Sequence, residues 1–131
     1  MTVRELSSVY YIKKETARIE RKIEQLRNAA EKVTPTLSTQ PKGNGMRDKV
    51  GEYATAIAAL RTQLEEIHTQ RLHEESRLYG YINSIPDALT RLIFQYRFID
   101  CLTWNEVARE IGGNHNEKSV SQICYRYIKD K

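Results

Sequence analysis

The sequence predicts an all-α protein: a long antiparallel helical hairpin, coiled-coil-like, followed by a small helix-turn-helix bundle. Three observations carry this. Apolar residues recur at alternating steps of three and four from residue 9 to residue 33, and again from residue 50 to residue 85. Between these runs lies a Pro- and Gly-bearing stretch. After Pro86 the pattern changes to short, sharply punctuated helices.

The first run is Val9, Ile12, Thr16, Ile19, Ile23, Leu26, Ala30 and Val33, with Thr16 its polar member. Lys13, Lys14, Glu15, Arg18, Glu20, Arg21, Lys22 and Glu24 fill the intervals, so one narrow stripe is apolar and the rest of the helix faces water. Nothing alternates with period two, which excludes a strand. Residues 34–45 read TPTLSTQPKGNG; proline removes a backbone donor and glycine loosens the chain, so the helix is expected to end at Val33. The pattern restarts through Val50, Tyr53, Ile57, Leu60, Leu64, Ile67, Arg71, Glu74, Leu78, Tyr81 and Ile85. Arg71 and Glu74 interrupt this seam; polar seam residues commonly set register, and the alternative is that they face a partner. A hairpin with loop 34–48 pairs Leu26 with Ile57 and Ile12 with Arg71. One seam on two helices leaves room for a second copy, so a homo-oligomer through the coiled region is expected.

Residues 87–99 (DALTRLIFQYRFI) form a helix whose inner face is Leu89, Leu92, Ile93, Tyr96 and Ile99. Thr103 and Glu106 are spaced as a capping box. The helix they start carries Val107, Ala108 and Ile111 and ends at Gly112-Gly113. Asn116 is the N-cap of a last helix that buries Val120, Ile123, Cys124, Tyr127 and Ile128. That helix leaves Lys118, Ser121, Gln122, Tyr125, Arg126 and Lys129 outward. The domains so drawn are 1–85 and 86–131. A capped helix, a Gly turn and a helix with a polar outer face is a helix-turn-helix pattern, and amide and basic side chains near the last helix's start suit base edges and phosphates. A plain three-helix bundle without ligand has the same pattern.

Residues 96–112, YRFIDCLTWNEVAREIG, resemble the corresponding stretch of sigma-factor region 4 relatives. They are more closely similar to phage transcriptional regulators of the ArpU- and RinA-like kind. Val120-Ser121-Gln122-Ile123 resembles the start of the sigma region 4 recognition helix. The coiled N-terminal part, the Pro/Gly loop and the Asp48-Lys49-Val50 restart are also similar to a small phage-encoded family sharing this C-terminal end. The resemblance implies a regulator that binds double-stranded DNA at promoters read by host RNA polymerase. It places Lys118, Ser121 and Gln122 toward bases and Asn116 near the backbone; Tyr125 would join the readers, and Arg126 and Lys129 would hold phosphates. The chain departs from the sigma pattern in a longer turn, Gly113 to Asn116, in Ser121 where Arg is usual, and in Cys101 where relatives often have Gly. Two other readings stay open: a small-terminase-like packaging component, and a structural adaptor binding RNA polymerase or another protein.

Composition sets the remaining bounds. Counting Gly and omitting Tyr, about 38% of the 131 residues are apolar against roughly 45–50% for an average domain, too few for a thick α/β core. The net charge is +4, of which residues 1–34 carry +3 and residues 86–131 only +1; no segment is strongly basic, so a non-specific polycation reading has little support. No apolar run approaches the roughly 18 residues of a membrane span, and Arg4 interrupts any leader core, so a cytoplasmic protein is expected. No catalytic residue, cofactor or metal is expected. His68 and His73 are five apart and do not share a helix face. Cys101, His115 and Cys124 lack paired zinc spacing and read as packing residues. Lys42-Gly43-Asn44-Gly45 lacks nucleotide-loop spacing, although with Arg47 and Lys49 it could brush phosphates. Trp104 reads as a core plug.

Overall fold

A computed structural model describes the backbone of residues 1–39 and 44–130 and the side chains of residues 1–32 and 49–130. The elements are α1 (Val3–Leu6), α2 (Ser8–Thr39), α3 (Asn44–Asn83), α4 (Ala88–Phe94), a π-helical turn (Gln95–Ile99), α5 (Trp104–Ile111) and α6 (Glu117–Asp130). Among the described residues there is no strand. The fold is all-α, a long helix pair followed by a small helical bundle.

Both long helices reach into the expected loop 34–48. Helix α2 runs on to Thr39 and α3 starts at Asn44. A proline's fixed φ is itself helical, so Pro35 deletes one hydrogen bond without having to end the helix. Asn44 and Gly45 fall in the first turn of α3, where backbone N–H groups have no intrahelical acceptor in any case. The side chains of Asn44 and Arg47, and Lys42 and Gly43 altogether, lie outside the described residues; Lys49 is exposed.

The chain packs as two compact units, divided otherwise than at Pro86: Lys14–Thr69, and Met1–Lys13 with Gln70–Lys131. In the first, the heptad seam is the least exposed stripe. Thr16, Ile19, Ile23 and Ile67 are buried, while Leu26, Ala30, Val50, Tyr53, Ile57, Leu60 and Leu64 are half-buried. The Thr16 Oγ1 is buried without a hydrogen-bond partner.

The second unit holds the main core. Leu6, Val9, Leu78, Ile82 and Ile85 from the hairpin's base pack with Ile93, Phe94, Phe98, Val107, Val120 and Cys124. The base pairs in nearly the expected register: Ser8 Oγ donates to Glu74 Oε2 at 3.0 Å, and Arg77 lies 3.8 Å from Glu5. The polar residues that interrupt the second seam, Arg71 and Glu74, therefore have partners, since Arg71 also donates to Glu75 at 3.0 Å.

The inner face of the segment after Pro86 differs from the expected one. Phe94 is fully buried and Phe98 is 4% exposed, whereas Leu92 is 38% exposed. Two causes combine. Helix α4 has neighbours in α5 and α6 as well as the hairpin's base, so adjacent residues Ile93 and Phe94 both go inward. The π turn, closed by Asp100 N–H donating to the Gln95 carbonyl at 3.1 Å, then adds a residue to the repeat and swings Phe98 in beside Ile99.

Cys101 follows with φ +60°, a conformation that costs a residue with a Cβ roughly 1–2 kcal/mol. Farther on, Gly112 and Gly113 have φ +75° and +65°, and a Cβ on either would meet open space. Their backbone, not crowding, is what calls for glycine.

Candidate nucleic-acid interface

Helices α5 and α6 and their connection form the candidate site. Helix α5 opens with the expected capping box: the Glu106 N–H donates to Thr103 Oγ1 at 3.2 Å, and the Thr103 N–H donates to Glu106 Oε1 at 3.1 Å. The two left-handed glycines then turn the chain. Asn116 caps α6, accepting from the Ser119 N–H at 2.9 Å, while its own N–H donates to Ser119 Oγ at 2.9 Å. The reciprocal pair fixes the start of α6, so the direction of its outer face is set by local chemistry as well as by packing.

Packing sets the rotation. Val120 and Cys124 are fully buried, with Ile123, Tyr127 and Ile128 against the same core. Lys118, Gln122, Tyr125, Arg126 and Lys129 are consequently exposed, on one stripe at steps of three and four. Ser121 is the exception among the expected readers. It is half-buried, and its hydroxyl donates to the Lys118 carbonyl at 3.0 Å, which leaves it acceptor capacity only. The Asn116 side-chain oxygen is likewise committed to the cap, leaving its NH2 group for a ligand.

Trp104 packs against the edge of the core and does not plug it. It is half-buried at the start of α5, with the Arg97 guanidinium 4.5 Å above its ring and Tyr125 edge-on at 5.8 Å. Arg97 also donates to the Leu102 carbonyl at 2.9 Å. The Arg97–Trp104–Tyr125 group thus braces the exposed face of α6 from beside. Nothing local in the sequence signals this group, since Arg97 and Trp104 lie seven residues apart across an irregular segment.

Burial pushes the Cys124 thiol up to about 12 and raises that of Cys101, so both are protonated and unreactive near neutrality. Among the described residues no group of three or more His, Cys, Asp or Glu side chains is placed to hold a metal. Asp87 is held below the usual carboxylate range by the Thr90 hydroxyl and N–H, and Glu106 by the Thr103 N–H and hydroxyl. A carboxyl lowered by folding adds stability above its unfolded value of about 4, and loses it as pH falls through the folded value. Melting temperature followed by circular dichroism should therefore be level between pH 5 and 7 and fall below pH ~4. The Asp87→Asn, Glu106→Gln pair should flatten that fall.

Among the described residues no helix is long and apolar enough to cross a membrane. No protein-family model, curated protein or solved structure matches the chain.

Proposed function

We propose that the protein binds double-stranded DNA in a sequence-specific way through α6 and regulates transcription without a chemical step of its own. The observation that carries this reading is the exposed stripe Lys118, Gln122, Tyr125, Arg126 and Lys129 on a helix whose start and rotation are fixed. A capped α5 and a left-handed glycine turn present that helix as the second of a helix-turn-helix pair. Gln122 and Lys118 are the readers of base edges, an amide suiting adenine and an amine suiting guanine. Arg126 and Lys129, with the amide of Asn116, hold phosphates; Ser121 contributes as an acceptor. The resemblance to phage regulators adds a setting: phage or prophage promoters in the cytoplasm, with host RNA polymerase as a further partner.

One module with so few cations binds weakly, and a second copy supplies affinity through effective concentration. The hairpin of residues 14–69 suits that task. Its seam is only half-covered from Val50 to Leu64, and a groove lined by Arg18, Arg21 and Lys22, with one carboxylate, Glu15, runs over Ile19 and Leu60. Helix α3 carries the complementary exposed carboxylates Glu52, Glu65 and Glu66. Two hairpins laid against each other would cover both.

Fluorescence anisotropy of a labelled duplex across a salt series tests the reading. With about three to four phosphate contacts per module, log K should fall against log[salt] with a slope of roughly −3 to −4 per copy bound. Binding that is absent, or indifferent to salt, contradicts it.

A further inference from the structure

We propose that Trp104 is a positioning residue for recognition: it holds the Tyr125 ring in one place on the outer face of α6, and that ring in turn orients the neighbouring Gln122. The inference rests on the reading of α6 as the DNA-binding helix. Trp104 is the first residue of α5 and the chain's single tryptophan. It is half-buried against the edge of the core, and the Tyr125 ring stands edge-on to it at 5.8 Å. Tyr125 is 46% exposed, so its ring has one side against Trp104 and the rest open to solvent. The indole is itself held. The Arg97 guanidinium lies 4.5 Å from the centre of its ring, and Arg97 Nη1 donates to the Leu102 carbonyl at 2.9 Å. The Leu102 N–H donates back to the Tyr96 carbonyl at 3.1 Å, which closes the segment behind the arginine. Arg97 belongs to the π turn Gln95–Ile99, an irregularity of the kind that often marks functional segments. A cation on the indole face and an edge-on aromatic pair are both directional contacts, so together they fix ring orientations and not only burial.

The reach to Gln122 follows from helix geometry. Side chains of an α-helix lean toward its N-terminus, so the ring of Tyr125 covers the turn of Ser121 and Gln122. An amide that pairs with an adenine edge must present its oxygen and nitrogen together. A long exposed side chain loses rotamer freedom in doing so. A fixed ring beside Gln122 removes rotamers that point elsewhere before DNA arrives, which is preorganisation of the reader. The same ring leans away from Lys129, so phosphate contacts gain nothing from it. Trp104 therefore acts on the preference among sequences and not on the charge-driven part of binding.

The test is anisotropy titration of full-length variants with a duplex recovered by selection from a random library and with its scrambled counterpart, at a temperature where melts show each variant folded. Trp104→Ala should reduce the preference between the two at least about fivefold, the lower end of what one base contact supplies. Its affinity for the scrambled duplex, and the salt dependence of that affinity, should match the unaltered chain. Trp104→Phe, which keeps a face for Arg97 and an edge for Tyr125, should restore most of the preference. Arg97→Gln, which frees the indole without removing it, should lose part of it. If Trp104→Ala does not melt cooperatively, Arg97→Gln decides by the same comparison. Because Trp104 acts through Gln122, the Gln122→Ala chain and the Trp104→Ala, Gln122→Ala chain should show the same residual preference. A merely structural Trp104 would lower the melting temperature and leave the preference of the folded chain intact. The proposal is overturned by that result, by equal weakening toward both duplexes, or by a further loss of preference in the double variant. An unaltered chain that prefers no duplex overturns the reading of α6, and the proposal with it, whereas the preceding outcomes overturn the proposal alone.

Discussion

Replacing Phe94 by alanine should destabilise the bundle by about 3–5 kcal/mol, enough to leave it unfolded or nearly so at 37 °C. Phe94 has no exposed surface and sits at the centre of an aromatic cluster. Phe98 lies 5.4 Å away, Tyr127 of α6 5.5 Å and Tyr81 of α3 6.4 Å. Its removal leaves a cavity where three elements meet, and the loss of edge-on ring contacts adds to the lost burial. For a unit of this size a loss of that magnitude lowers the melting temperature by roughly 15–30 °C. Leu92→Ala is the contrasting change, because Leu92 is 38% exposed. It should cost less than about 1 kcal/mol. A calorimetric comparison of the two variants checks the packing directly, and equal losses would contradict it.

The second large effect is on recognition. Lys118→Ala combined with Gln122→Ala should abolish discrimination between a preferred duplex and a scrambled one, while the melting temperature stays within a few degrees. Each good bidentate base contact is worth about 1–3 kcal/mol of discrimination. Two lost contacts therefore reduce the preference by roughly 30-fold to 10⁴-fold. Both side chains are exposed and neither caps a helix, so the bundle does not depend on them. Arg126→Ala and Lys129→Ala should behave differently, weakening binding to both duplexes alike and making the salt dependence shallower. Specific binding that survives the Lys118, Gln122 pair would mean that another surface reads the sequence.

The readable parts of this fold are those governed by local chemistry. The seam from Val9 to Ala30 was legible because a 3–4 spacing has one geometric meaning, and every residue named there is buried or half-buried. The capping box at Thr103 and Glu106, the left-handed Gly112-Gly113 pair and the Asn116 cap were legible for the same reason, since each is decided within four residues. What local chemistry does not decide is which of several faces a central helix buries. Leu92 and Phe94 could each serve a 3.6-residue face, and the choice between them was made by α5, α6 and the hairpin's base together. The π turn compounds this, because a periodicity argument assumes a constant repeat. Pro35 misled in the other direction: its cost is real but local, and a long helix can carry it. In the candidate site, the outward set of α6 followed from its buried set, but Ser121 lies near the boundary and turned its hydroxyl to the Lys118 carbonyl. Trp104 carried no signal of its place at the edge of the core, because its partners Arg97 and Tyr125 come from different elements.

The low apolar content that set the first bound on the fold also bears on function. Much of the chain's hydrophobic material lies on narrow seams, and the segment 86–131 carries a net charge of only +1. Bulk electrostatics alone would give little affinity for DNA, so the proposed activity depends on the geometry of α6 and on paired copies.

Selection from a random duplex library with the purified full chain asks whether α6 reads DNA sequence. A single short motif should be enriched, and the Lys118→Ala, Gln122→Ala variant put through the same selection should enrich none. A pool that remains random with the unaltered protein, or the same motif recovered by the variant, would contradict that reading.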